Sequence, residues 1–326
     1  MKGNNMKNKL LLSTAIASVA FAGFASAETK VGGNLEQTFN ALSTNSAATS
    51  SRSFGAEHNI SLSSKKDLDN GLTAKYGFTA EGDSTFAADS HYLTIGTDTV
   101  AVAFRRDSGI NLSGSAVPYI GDAFDTAAFT GVSQGSSLIN ASDVHDNDYA
   151  AIEAKVMGGT VALQYAPDVG NQNADDSDVG EGGNSATGLI YKGSFGVDGL
   201  KTLIGKTSTD GEGATDDTTE TQYGFSYNFG QFTVGAEKSA QDVAGTDTDT
   251  VIYGGAVAVN DNFTLGVYLL DSDKEGEATD EESKMVQVGY NLGGLGITVS
   301  YAENENVGYS SGTDSEQLQI RTIQKF

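Results

Sequence analysis

The ten residues from Gln317 to Phe326 read QLQIRTIQKF, and their side chains sort by parity into two unlike faces. Leu318, Ile320, Thr322, Gln324 and Phe326 share one face, while Gln317, Gln319, Arg321 and Lys325 share the other. A strand that offers one side to lipid and the other to water is the dyad repeat of an outer-membrane barrel wall. A chain whose last residue is an aromatic inside such a strand predicts a sheet closed by that strand.

At the other end, Lys2, Lys7 and Lys9 precede an apolar run from Leu10 to Phe24 and the small-x-small triplet Ala25-Ser26-Ala27. This is the pattern of a secretory signal cut after Ala27, starting at Met1 or Met6. The run is shorter than the ~20 residues that a membrane helix needs. The expected organisation is a leader over 1–27 and one domain over 28–326, secreted to the periplasm and inserted in the outer membrane.

Removing the leader takes the basic count from 19 to 16 against 43 acids, a balance of −27. Such a chain should avoid nucleic acid, whose phosphates need a basic surface. With no cysteine there is no disulfide scaffold and no thiol nucleophile. Two prolines, 41 glycines, 15 phenylalanines and 13 tyrosines describe a β-rich chain. No stretch after the leader is a candidate membrane helix, so a membrane form must be a barrel.

From Lys30 onward, sixteen segments alternate, running from 30–41 to 316–326. Sixteen is even, as a closed antiparallel bacterial barrel requires. Tyr223, Phe225, Tyr227 and Phe229 alternate with Gln222, Gly224, Ser226 and Asn228; Leu72, Ala74, Tyr76 and Phe78 alternate with Thr73, Lys75, Gly77 and Thr79. A soluble sandwich would alternate too, but the connections separate the two. Short turns (Gly158-Gly159, Gly230-Gln231, Asn260 to Asn262, Gly293-Gly294) take turns with long polar segments (167–184, 209–220, 241–249, 272–282, 304–315). Tight turns on one rim and long loops on the other are the barrel arrangement.

With these features the chain resembles the Gram-negative general porins of roughly 300 residues. The resemblance covers the whole chain after the leader. It implies a 16-stranded antiparallel transmembrane β-barrel, all-β, whose third long loop folds into the lumen. It also implies a homotrimer in contact with outer-membrane lipid and lipopolysaccharide, and makes Phe326 a membrane-assembly signal. Gln324, third from the end, departs from the aromatic or apolar residue usual there.

One connection is far longer than the rest, about forty residues from Asp107 to Asp148. Loops of that length are functional or disordered. Its apolar punctuation (Ile110, Val117, Tyr119, Ile120, Phe124, Phe129, Leu138, Ile139) suits packing inside a barrel better than exposure outside it. Asp107, Asp122 and Asp125 are the candidate acidic side of a pore constriction. Lys75, Arg105 and Arg321 have inward parity and are the candidate basic wall; strands three, five and sixteen would lie on one arc. Glu36, Glu57, Glu81 and Glu153 share that parity, so the wall is mixed. A transverse field across a narrow opening orients dipolar solutes, and the net acidity predicts weak cation preference.

The distal loops hold 24 of the 43 acids. Asp175, Asp176 and Asp178 are candidate Ca²⁺ ligands, since calcium takes clustered carboxylates, although no complete ligand loop surrounds them. No other cofactor is expected. The three histidines are His58, His91 and His145, and no catalytic or phosphate-binding motif occurs. An enzyme is not expected. The expected function is passive diffusion of ions and small hydrophilic solutes, with a solute-selective channel or a surface-binding barrel acting through its acidic loops as the alternatives.

Overall fold

The computed structural model describes residues 28–45, 50–82, 87–112, 116–120, 144, 147–169, 184–210 and 217–326. The leader over 1–27 lies outside them. The first five strands are β1 (Glu28–Thr44), β2 (Ser51–Asp67), β3 (Thr73–Gly82), β4 (Ala87–Gly96) and β5 (Val100–Arg106). After the long loop come β6 (Tyr149–Val156), β7 (Gly159–Val169), β8 (Asn184–Gly193), β9 (Leu200–Asp210), β10 (Thr218–Phe229) and β11 (Phe232–Val243). The last five are β12 (Thr246–Asn260), β13 (Phe263–Lys274), β14 (Glu281–Leu292), β15 (Leu295–Glu305) and β16 (Ser315–Lys325).

Each strand pairs with its sequence neighbours, all antiparallel, and β1 pairs with β16 to close the ring. The seam runs through the last residue. Gly33 N–H donates to the Phe326 carbonyl at 3.2 Å, and Phe326 N–H donates to the Gly33 carbonyl at 3.1 Å. Phe326 lays its ring against Gly33, where a Cβ would come within 2.8 Å of Cζ. Closure leaves no sheet edge, which is what allows a β-structure to lie in hydrocarbon.

Register and burial fix the two faces. On β10, Tyr223, Phe225 and Tyr227 are exposed on the outside, while Gln222 and Ser226 are buried inside. Opposite partners share a face, so Gln222 stands by Ser239 and Gly205, and Tyr223 stands by Lys238 and Ile204. The outer surface carries a continuous belt of large apolar groups, including Phe54 at 86% exposure, Leu189 at 57% and Val267 at 55%. Monomeric soluble surfaces rarely tolerate apolar patches above a few hundred Å². The belt is the lipid face of an outer-membrane barrel. No helix among the described residues is long and apolar enough to cross a membrane.

The structure corrects the sequence reading at one rim. The polar segment 241–249 is not a long loop: β11 and β12 run on through it and meet at Ala244-Gly245. Both turn residues have positive φ, 55° and 77°, the condition for a two-residue turn that matches strand twist. Asp242 Oδ1 accepts the Gly245 N–H at 2.8 Å and fixes it. Asp and Thr in this stretch read as loop, yet they form ladder above the apolar belt, where both faces are polar.

Candidate functional site: the pore wall and its inner loop

Residues 110–112 and 116–120 lie against inward-facing side chains. Gln164 of β7 donates from Nε2 to the Ile110 carbonyl at 2.6 Å. Leu112 is fully buried with Ile190 of β8 and Leu203 of β9. Ala116 N–H donates to Glu237 Oε2 of β11 at 2.7 Å. Tyr268 of β13 donates its hydroxyl to the Pro118 carbonyl at 2.7 Å, and its ring centroid is 4.7 Å from that of Tyr119. Ile120 N–H donates to Gln287 Oε1 of β14 at 2.8 Å. The chain thus passes from β7 to β14, seven inter-strand gaps or about 34 Å along the wall. Ten residue steps reach about 34 Å only when nearly extended, and the described residues of this stretch, 110–112 and 116–120, carry no helix or strand.

The wall makes room for it with glycine. A Cβ on Gly205 would come within 2.7 Å of Leu112 Cδ2, one on Gly224 within 2.9 Å of Ala116 Cβ, and one on Gly235 within 2.9 Å of Pro118 Cδ. Gly289 lies under Ile120 in the same way. All four face inward on β9, β10, β11 and β14. Val117 and Tyr119 complete the seat by packing on Ile252, Tyr268, Leu270 and Met285. Burial first, and then the nearby Glu237 carboxylate and Tyr268, push the Tyr119 phenol well above its ordinary value, so it remains neutral.

The arc from β16 through β5 is built differently. Lys75, Arg105 and Arg321 all face inward there, opposite Thr94, Tyr92 and Thr38. Lys75 is exposed to the lumen. Arg105 is held by Glu153 of β6 through two hydrogen bonds, Nε to Oε1 at 2.8 Å and Nη2 to Oε2 at 3.1 Å. Its guanidinium carbon also sits 5.4 Å from the Tyr92 ring centroid, within cation–π range. Bidentate pairs of this kind fix orientation as well as charge. Arg321 donates to Glu36 across the closure seam, and both side chains are buried, at 10% and 2% exposure. Two of the three basic wall residues therefore carry a wall carboxylate with them.

Asp107 stands at the base of the loop, directly after β5, with a φ of 45°. It does not lie among the residues that contact the β7–β14 wall. Asp122, Asp125 and the calcium candidates Asp175, Asp176 and Asp178 lie outside the described residues. Among the described residues no group of three or more His, Cys, Asp or Glu is placed to hold a metal ion. His58 and His91 face outward; His91 Nε2 is 3.1 Å from Asp148 Oδ1.

Sequence reading missed the seat: Gln164, Glu237, Gln287 and the four glycines. The available signal was inward parity, because Gly224 falls between Tyr223 and Phe225 as a lumen residue, and its counterparts recur on neighbouring strands.

Residues 13–319 match the family described as Gram-negative porin. The chain belongs to that family. An anion-selective porin from Comamonas acidovorans shares its fold with a TM-score of 0.69 at 16% identity, over 92% of this chain and 100% of that one. A mutant of the Rhodopseudomonas blastica porin gives 0.63 at 18% identity, with the same coverage of both chains. OmpT of Vibrio cholerae lacking its loop L8 gives 0.64 at 15%, again over 92% and 100%. No curated protein sequence matches the chain. Family and closed barrel together make this porin an outer-membrane channel protein.

Proposed function

We propose that this porin is a general diffusion channel, working as a homotrimer, that passes ions and small hydrophilic solutes through a lumen narrowed by the loop over 107–148. The observation that carries the reading is the loop's attachment, since Ile110, Ala116, Pro118 and Ile120 are tied to the wall from β7 to β14. A rigid internal strap narrows a pore without closing it. Opposite the seat lies the charged arc of Lys75, Arg105 with Glu153, and Arg321 with Glu36. In this reading Asp122 and Asp125 face that arc and complete a transverse field.

The same reading keeps a weak cation preference, supported by the carboxylates at the strand ends opposite the tight turns, such as Asp247, Asp273, Glu275 and Asp280. Lumen lysines oppose it, so the preference is small. Single-channel recording of the native protein in a planar bilayer under a KCl gradient tests both parts. Large, stable steps with a small reversal potential of cation sign are expected, and neutralising Asp122 and Asp125 should move that potential. A correctly folded barrel without steps would overturn the channel and leave a surface-binding role for the loops.

A further inference from the structure

Inside the barrel, the end with the tight turns carries a charge pattern that shares only Lys75 with the proposed constriction. Lys75 on β3, Lys155 on β6, Lys192 on β8, Lys201 on β9 and Lys325 on β16 each lie within two residues of the strand end at this rim. Register turns all five inward, opposite Thr94, Thr160, Leu203, Ser226 and Asn34 respectively. All five are exposed to the lumen. Among the described residues none has a carboxylate within 4.0 Å, whereas Arg105 is saturated by Glu153. Of the acids at this rim, Glu28 is 2.9 Å from Lys30 and Asp67 is 4.0 Å from Lys65, while Asp69, Asp98, Asp198 and Asp261 stand in the connections between strands, with Asp98 the one beside Lys75 and Lys155. Over β10–β15 the inward residues at this level are neutral, such as Ser226, Asn228, Thr233 and Thr298.

Lys75 and Lys155 flank a cavity of about 320 Å³ lined also by Tyr92, Thr94, Thr160, Asp98 and the Arg105–Glu153 pair, which leaves three cations against two carboxylates. Lys155 Nζ already donates to Thr160 Oγ1 at 2.6 Å, so ammonium and hydroxyl donors converge there. Exposed single charges in water attract a monovalent anion weakly, and salt screens them within about 10 Å at 0.1 M. Several charges inside one screening length act together only on a ligand that itself carries several charges.

We propose that this periplasmic vestibule is a binding site for multivalent oxyanions, centred on Lys75 and Lys155, with Lys192, Lys201 and Lys325 enriching such anions around it. The proposal builds on the diffusion-channel reading, which supplies the water-filled lumen. Its test is calorimetric titration of the detergent-solubilised protein with tripolyphosphate, alongside KCl conductance of the same samples. Saturable binding is expected in the native protein, weakened at least about tenfold in Lys75→Gln/Lys155→Gln, the scale set by removing two charges at contact distance in high dielectric. The outward-facing pair Lys238→Gln/Lys284→Gln should bind as the native protein does. No binding, or equal loss in both double variants, overturns the vestibule site. A barrel that binds but gives no KCl steps keeps the site and overturns the channel, while one that conducts without binding does the reverse.

Discussion

Above the rim where Lys192 and Lys201 stand, the wall over β7–β14 and the wall over β16–β5 face the same lumen with opposite chemistry. The first presents glycines, apolar side chains and buried hydrogen-bonding groups, and residues 110–112 and 116–120 lie on it. The second presents charge, and each of its arginines is matched by a carboxylate on an adjacent strand. In the function proposed above, one half is a mount and the other an electrode. Separating them lets the geometry of the opening and its field change independently.

The strongest way to break this contrast is to fill the mount. Gly224→Val with Gly289→Val puts branched carbon where Ala116 and Ile120 now sit, and overpacking of this kind costs about 1–3 kcal/mol per site. The loop should leave its seat and single-channel conductance should at least double; unchanged conductance would show that the seat does not define the opening. Next comes the electrode. Arg105→Gln should raise the cation-to-anion permeability ratio about twofold, the Boltzmann weight of one charge near 8 Å in water. Glu153→Gln should lower it by a similar factor, and the double variant should return to the native ratio. Additive rather than cancelling shifts in reversal potential would mean that the pair is not the unit.

A subtler probe is Glu237→Ala, which strips the Ala116 N–H of its acceptor at a cost of about 1–3 kcal/mol. Increased open-channel noise with little change in mean current is expected, and a quiet trace would assign loop retention to apolar packing alone. The smallest effect belongs to Gly245→Ala. A left-handed alanine costs about 1–2 kcal/mol, which should appear as a lower denaturant midpoint with conductance untouched. Glycine at the rim serves the turn, whereas glycine in the mount serves the loop.

Much of this was legible in the sequence because a barrel strand has only two faces. Parity alone set Tyr223 against Gln222 and put Lys75, Arg105 and Arg321 inside, and the register agrees in each case. What parity cannot show is which inward residues meet. Arg105 finds Glu153 because β5 pairs with β6 across the forty-residue loop, and Arg321 finds Glu36 only through closure of the ring. The mount was invisible for a further reason: a glycine has no side chain to reveal what lies over it. The rim at 241–249 was misread because Thr and Asp form a ladder there with polar residues on both faces, so the apolar alternation that identifies strands elsewhere is absent.

Every rung of this wall joins strands adjacent in sequence, apart from the seam where Gly33 meets Phe326. The molecule is therefore a string of hairpins bent into a ring. Adding or deleting one hairpin changes the circumference by two strands and leaves every other pairing as it was. Descendants of such a chain could widen or narrow by duplication, without inventing a new topology.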